Sequence, residues 1–90
     1  MMYMIKEHLS WQKINAINYI VDERTGRLYE LNEIASCIWD DIVEKNCFND
    51  IIEKIAKKYQ VDKNIVAEDA TELINDFIKK EFIEVAKEMR

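Results

Sequence analysis

A chain of 90 residues with 49% hydrophobic residues and a single glycine suits one packed, helix-rich domain and is too short for a second core. The formal charge of −5 disfavours a general nucleic-acid-binding role, because phosphate binding requires clustered lysine and arginine. The sequence has no apolar run of the roughly 20 residues that a membrane span needs, and no signal peptide at its start, so we expect a cytoplasmic protein with no membrane partner.

One or two β-strands are predicted between Ser10 and Asp22, where β-branched and aromatic residues predominate. Asn15 is placed to form a turn between two such strands. Gly26 is the only glycine of the chain, and a sole glycine is most simply explained by a turn that needs a positive φ. The run from Asp22 to Gly26 is therefore predicted to be a hairpin connection.

A returning strand is predicted from Arg27 to Leu31. Alternation along this strand puts Tyr29 and Leu31 on one face, and Leu28 and Glu30 on the other. Together the strands predict a small N-terminal antiparallel β-sheet of two or three strands, which needs helices against one face to be stable.

The first helix is predicted from about Glu33 to Glu44, with Asn32 as its N-cap and Asn46 closing it in a left-handed conformation. Its apolar residues recur at helical spacing and form one stripe, which comprises Ile34, Ala35, Ile38, Trp39 and Ile42. The acidic residues are predicted on the solvent side, and they are Asp40, Asp41 and Glu44. We expect Trp39, at this spacing, to be buried in the core.

A second helix is predicted from about Asp50 to Tyr59, with Asn49 as its N-cap. Its buried stripe comprises Ile51, Ile52, Ile55, Ala56 and Tyr59. The later half carries three lysines, which are interpreted as a solvated face that also suits the negative end of the helix dipole: Lys54, Lys57 and Lys58.

The third and longest helix is predicted to begin after Asp62, which acts as its N-cap. Its main apolar stripe comprises Val66, Ala70, Leu73, Ile74 and Phe77. One edge of that stripe is small and weakly polar, and it consists of Ala67, Thr71 and Ile78. Residues 82–85 form either a final strand or a continuation of this helix, and the tail from Ala86 to Arg90 is predicted to fray.

A small sheet followed by three helices predicts an α+β fold of the winged helix-turn-helix type, in a single domain over residues 1–90. A DNA-binding regulator is the obvious function of that architecture. The third helix argues against it, because phosphate repels a helix that carries five carboxylates and one lysine. These residues are Asp62, Glu68, Asp69, Glu72 and Asp76, against Lys63.

Neither catalysis nor metal binding has support in the sequence. There is no Ser/His/Asp or Cys/His set and no glycine-rich phosphate loop. Cys37 and Cys47 are too far apart for a CxxC motif and are predicted to be free thiols in a reducing compartment, while His8 is the only histidine. We therefore expect no enzyme activity, no cofactor and no metal.

The run from Ile20 to Glu33, which ends in the letters TGRLYELNE, resembles the PqqD family together with the following Ile38-Trp39. The resemblance continues through two later runs, Ile51 to Asp62 and Phe77 to Ile83. It spans roughly residues 11–85, and its most specific part is the junction between strand and helix. One departure is Glu81, where the family more often has glycine before the last apolar residues.

The resemblance implies a recognition module for the precursor peptides of ribosomally made, modified natural products. Such a domain binds the leader segment beside an exposed strand and presents the core to a modifying enzyme, in many cases a radical SAM protein. Carried onto this sequence, the strand consists of Arg27, Leu28, Tyr29, Glu30 and Leu31. The helical wall consists of Val66, Ala67, Ala70, Thr71 and Ile74, although ordinary core packing is the stronger interpretation of Val66, Ala70 and Ile74.

An exposed strand edge agrees with this function, because an extended peptide can add to a sheet through main-chain hydrogen bonds. Two other functions stay open: a winged-helix DNA-binding regulator, and a subunit that only docks on a larger enzyme. The first would bind duplex DNA in a salt-dependent way, and the second would bind the enzyme but no leader. The sequence does not distinguish a monomer from a homodimer.

Overall fold

Short strands at both ends of the chain enclose three helices in a computed structural model that describes residues 2–86. The elements in chain order are β1 (Met2–Ile5), β2 (Leu9–Ile14), β3 (Ile17–Asp22), β4 (Arg27–Glu30), α1 (Glu33–Val43), α2 (Phe48–Tyr59), α3 (Lys63–Lys79) and β5 (Ile83–Ala86). The predicted α+β class, with small antiparallel strands before three helices, is confirmed. Within residues 2–86 no helix has both the length and the apolar character needed to cross a membrane.

Two consecutive hairpins form a three-stranded antiparallel sheet in the order β2-β3-β4. The first turn consists of Asn15 and Ala16, whose φ angles of 49° and 70° suit a tight two-residue turn. The second turn contains Gly26 with a φ of 75°. A positive φ was predicted there because Gly26 is the only glycine of the chain. Inward and outward side chains alternate along β4, because Leu28 is exposed whereas Tyr29 is half-buried. The predicted faces of this strand are confirmed.

A second sheet joins the two ends of the described chain, since β1 pairs antiparallel with β5. The open alternative at residues 82–85 is thus settled in favour of a strand, which runs from Ile83 to Ala86. Fraying at Ala86 was wrong, because this residue pairs with Met2, and the predicted fraying of residues 87–90 lies outside the described residues. The sequence did not predict β1, whose partner lies about eighty residues away.

Glu81 has a left-handed backbone conformation, with a φ of 61°, at the junction between α3 and β5. Glycine adopts this conformation at the least cost, which agrees with the glycine that the resemblance led us to expect at this position. Here Arg24 Nη1 donates a hydrogen bond to Glu81 Oε2 at 3.0 Å. The contact connects the second hairpin turn to the end of α3.

The ends of α1 and α2 differ in detail from the prediction. Asn32 caps α1 as expected and accepts a hydrogen bond from the Ala35 N–H at 2.8 Å. The left-handed residue after the helix is Lys45, with a φ of 65°, and not Asn46. The side chain of Asn46 instead donates to Asp41 Oδ1 at 3.2 Å.

Asp41 was predicted on the solvent side of α1, yet it is only 8% exposed. Its carboxylate is buried because it accepts hydrogen bonds from the side chains of Asn46 and Lys54, the second at 3.3 Å. A buried carboxylate with such partners contributes to the packing between helices. The prediction for Asp41 was therefore wrong, whereas the neighbouring Asp40 is half-buried and Glu44 is exposed.

The second helix begins two residues earlier than predicted, at Phe48 with Cys47 as its N-cap residue. Asn49 is therefore inside the helix, and the Cys47 backbone occupies the cap position without a side-chain cap hydrogen bond. Gln60 ends the helix in a left-handed conformation with a φ of 54°. The third helix begins as predicted, because Asp62 accepts a hydrogen bond from the Asn64 N–H at 2.7 Å.

The core lies between the sheets and the helices, and Trp39 is at its centre with no exposed surface. The predicted burial of Trp39 is confirmed. Its ring makes edge-to-face contacts with Trp11 and Phe77, each at a centroid distance of 5.5 Å. Of the predicted α1 stripe only Ile34 is exposed, at 44%, and its side chain lines a cavity between α1 and α3.

Candidate functional site

Strand β4 is at the edge of its sheet, because β3 pairs with one side of it and no other strand within residues 2–86 pairs with the other side. Beyond the strand, Leu31 donates its N–H to the Asn18 carbonyl at 2.9 Å. Backbone groups alternate in direction along an antiparallel strand. Tyr29 therefore also directs its N–H and C=O toward β3, whereas Leu28 and Glu30 direct theirs to the open side.

An apolar cavity of about 370 Å³ opens beside the end of β4, between α1 and α3. We refer to it as the α1–α3 cavity. Its walls are largely aliphatic and include the side chains of Ile34, Ile38, Ile65, Val66, Ala70 and Leu73. Its two most exposed apolar walls are Ile34 at 44% and Ile65 at 54%. Asn32, directly after β4, and Asp69 supply polar atoms at the cavity.

Tyr29 connects the inner face of β4 to the segment that directly follows α3. Its half-buried ring packs edge-on against Phe82 at a centroid distance of 4.9 Å. Lys80 Nζ is 5.6 Å from the centre of the Tyr29 ring, and the Arg27 guanidinium carbon is 5.8 Å from it. Two cations therefore flank this ring at the end of β4 that lies nearest to the hairpin turn.

Asn32 lines the cavity just after β4, and Lys80 at the end of α3 lies by the Tyr29 ring, so we call the surface that β4 and α3 border the β4–α3 groove. The strand side is the open edge of β4 with the ring of Tyr29, and the helix side is one face of α3. That face carries Ile65, Asp69 and Leu73 at successive four-residue intervals, followed by Lys80 at the helix end. The surface is thus apolar at the Asn32 end and cationic at the Arg27 end.

The predicted helical wall is divided between two sides of α3. Val66 and Ala70 line the α1–α3 cavity, and both are buried. Thr71 and Ile74 instead line a different cavity of about 540 Å³, which β1, α2 and β5 border. Ala67 borders a shallow acidic depression between the two, next to Asn64, Glu68 and Glu72.

Several side chains of the groove were missing from the predicted site, among them the apolar Ile34, Ile65 and Leu73. Ile34 and Ile65 are apolar residues in the first turns of their helices, and their exposure is the feature that indicates a binding surface. Leu73 was predicted as core, yet it is only partly buried. The sequence signal that could have identified the α3 residues is that Ile65 and Leu73 are apolar and lie on the edge of the α3 stripe opposite to Thr71.

No group of three or more histidine, cysteine, aspartate or glutamate side chains could hold a metal ion within residues 2–86. Both cysteines are free. Cys37 Sγ accepts a hydrogen bond from Lys58 Nζ at 3.4 Å, which raises the pKa of Lys58, and lies 3.6 Å from the Tyr59 hydroxyl. Among the described residues of the groove there is no nucleophile–base pair.

The family model described as "Coenzyme PQQ synthesis protein D (PqqD)" matches residues 19–83. The chain is also similar to the solved structure "TbiB1 in Complex with the TbiA(beta) Leader Peptide", at 23% identity and a TM-score of 0.86, over 93% of this chain and 98% of that one. A second similar structure is "Lasso peptide synthetase B1 complexed with the leader peptide", at 16% identity and a TM-score of 0.84, over 92% and 98%. No curated protein sequence matches. At these identities the structural likeness shows the fold.

Proposed function

This chain belongs to the PqqD family, whose model covers residues 19–83, and from that premise we propose that it binds the leader segment of a ribosomally made precursor peptide and presents it to a modifying enzyme. The observation that carries the proposal is the open edge of β4 beside the apolar α1–α3 cavity. The leader peptides named for both similar structures support it.

Strand addition is the binding mode that this surface favours. An extended leader that lies antiparallel to β4 receives main-chain hydrogen bonds from Leu28 and Glu30, whose backbone groups are open. Alternate leader side chains then point toward α3, where apolar ones enter the α1–α3 cavity. The backbone contacts supply affinity for any extended peptide, and the cavity selects among side chains.

The proposed site keeps the whole predicted strand, from Arg27 to Leu31, and part of the predicted helical wall. Val66 and Ala70 form the floor of the cavity, and Ile65 and Leu73 are added as its accessible walls. Ala67, Thr71 and Ile74 belong to other surfaces of α3 and are not part of the proposed site.

We propose that this chain acts as a binding module in the cytoplasm, where precursor peptides are made, and that a separate enzyme performs the chemistry. The family resemblance supports a radical SAM enzyme as that partner, and the name of one similar structure supports a lasso peptide synthetase. Formation of a homodimer is not needed for the proposed site, because one copy supplies both the strand and the helix.

Amide hydrogen exchange tests the binding mode directly, with a synthetic leader of the precursor peptide encoded in a neighbouring reading frame as the probe. In the free protein we expect slow exchange at the Tyr29 amide, which faces β3, and fast exchange at Leu28 and Glu30. Leader binding should slow exchange at Leu28 and Glu30. Binding that leaves these two amides unprotected would exclude strand addition on β4.

A pair of variants on the two sides of α3 tests the location. Ile65→Arg fills the mouth of the α1–α3 cavity, and we expect leader binding to weaken at least tenfold, which corresponds to about 1.4 kcal/mol. Ordering a flexible leader consumes about 2–5 kcal/mol, so wild-type affinity should be near micromolar, or about −8 kcal/mol. Thr71→Arg is the matched control and should leave binding unchanged. The reverse result would place the leader on the other side of α3.

A further inference from the structure

Arg27 is an unpaired cation at one end of the β4–α3 groove. Its side chain is exposed, and no carboxylate of residues 2–86 lies within ion-pair distance of it. Among residues 2–86, its one polar side-chain contact is with the face of the Tyr29 ring. In a protein with a formal charge of −5, a cation left without an acidic partner on a binding surface is available to a ligand.

Lys80 adds positive charge on the other border of the same ring, since its Nζ is 5.6 Å from the ring centre. Lys80 is partly neutralised by Asp76, whose Oδ2 is 2.6 Å from Nζ. Arg27 is therefore the principal cation, and Lys80 increases the potential around it. At the opposite end of the groove the charge is negative, because Asp69 borders the α1–α3 cavity and lacks an ion-pair partner among the described residues.

The alternation of side chains along β4 sets the spacing between the Arg27 end and the cavity end of the β4–α3 groove. Arg27, Tyr29 and Leu31 lie on one face because alternate residues of a strand share a face. The residues of an antiparallel leader that lie opposite Leu31 and Arg27 are also four positions apart and also share a face. The first of them lies beside the α1–α3 cavity, and the second lies beside Arg27.

We infer that the leader recognised by this chain carries an acidic residue four positions C-terminal to an apolar anchor residue, and that Arg27 binds this carboxylate. The inference rests on the proposed function and specifies the chemistry of the same site. An antiparallel leader meets the cavity first and Arg27 second, so the apolar residue precedes the acidic one. The reverse order would put the acidic residue beside Asp69, where like charges repel.

Short strand-forming synthetic peptides that differ only in this pattern provide the test, with binding followed by the amide NMR shifts of Leu28 and Glu30. The reference peptide has Leu four positions before Glu, and the other two have Glu before Leu at the same spacing or Lys in place of Glu. We expect the reference peptide to bind about threefold to tenfold more tightly than either, because one exposed charge interaction is gained or reversed. Equal affinities would overturn the inference, as would a failure of the reference peptide to bind.

A charge exchange across the interface assigns the contact to Arg27. Arg27→Glu should lose the preference for the Glu peptide and gain one for the Lys peptide. Lys57→Glu makes the same change in net charge on α2, at a residue that does not line the α1–α3 cavity, and should preserve the wild-type preference. If Arg27→Glu and Lys57→Glu shift the affinities equally, net charge and not a contact is responsible, and the inference is wrong.

The result separates this inference from the proposed function. A natural leader that protects Leu28 and Glu30 but ignores the charge of residue 27 leaves strand addition intact and refutes the acidic partner alone. A natural leader that protects neither amide refutes strand addition itself. Increasing salt should reduce the difference between the Glu and Lys peptides, since exposed charges are screened over about 8 Å at physiological ionic strength.

Discussion

Trp39 lies at the centre of the core. Its ring contacts Trp11, Phe77 and Phe82 and has no exposed surface. Trp39→Ala removes these contacts and leaves a cavity, so we expect the free energy of unfolding to fall by about 3–5 kcal/mol in a urea titration. That is a large part of the stability of a small domain. Trp39→Phe keeps an aromatic ring and should lose less. A Trp39→Ala variant as stable as the wild type would contradict this packing.

Arg24 makes stability depend on pH in the acid range. Its backbone N–H donates to Asp22 Oδ1 and its Nη2 donates to Asp22 Oδ2, each at 3.0 Å. Its Nη1 donates to Glu81. These bonds lower the pKa of Asp22 and of Glu81 below their ordinary values of 3.8 and 4.5. Because each pKa is lower in the folded state, the stabilisation is complete above pH 4.5 and is lost as the pH falls through and below these values.

Arg24→Gln should therefore lower the melting temperature at neutral pH, and the difference from wild type should shrink as the pH falls below 4.5. Arg27→Gln is the control, because Arg27 has no ion pair with the described residues, and its melting temperature should follow the wild type at every pH. A difference for Arg24→Gln that stays constant down to the acid transition would show that the carboxylates do not depend on Arg24.

Residue-level predictions of the helix ends were right for two caps and wrong for Asn46 and Asn49, whose expected positions Lys45 and Cys47 occupy. Asn32 and Asp62 cap their helices because a short acceptor side chain precedes each apolar stripe. Asp41 was placed wrongly, because its burial depends on Lys54 and Asn46, which lie on other segments. No pattern within α1 contains that information.

At the scale of elements, the residue that ends α2 is not the most stabilising one for its backbone conformation. Gln60 is exposed and left-handed, with a φ of 54°. Gln60→Gly removes the contact between Cβ and the backbone that disfavours this conformation, so we expect the free energy of unfolding to rise by about 0.5–1 kcal/mol. Gln60→Ala keeps the Cβ and should show no such gain. Denaturant titration measures both, and a less stable Gln60→Gly protein would contradict the assignment.

The helices and the β2-β3-β4 sheet were predictable because their signals are local: apolar periodicity, two turns and one glycine. β1 was not, since Met2–Ile5 forms a strand only with Ile83–Ala86 as its partner. The orientation of α3 was equally out of reach. A helical wheel shows that Thr71 and Leu73 border the apolar stripe on opposite edges, but only the packed neighbours decide which edge faces β4.

At the scale of the whole molecule, charge decides between peptide and DNA as the ligand. The formal charge is −5, and α3, the helix that would enter a groove of DNA, is acidic along its exposed face. We expect no retention of duplex DNA in a mobility-shift assay even at low ionic strength, where attraction to phosphate is greatest. Micromolar binding that weakens steeply with added salt would reverse this conclusion and favour the DNA-binding alternative.

The pairing of β1 with β5 also has a consequence for how the chain folds. The β2–β3 hairpin closes a turn of two residues, whereas β1 and β5 meet across almost the whole described chain, from Met2 to Ala86. Closing a loop of that length costs about 4 kcal/mol of chain entropy, and this cost is repaid only once the helices hold the two strands near each other. We therefore expect the hairpins and helices to form early, and the β1–β5 sheet to form last and to open first when the protein unfolds.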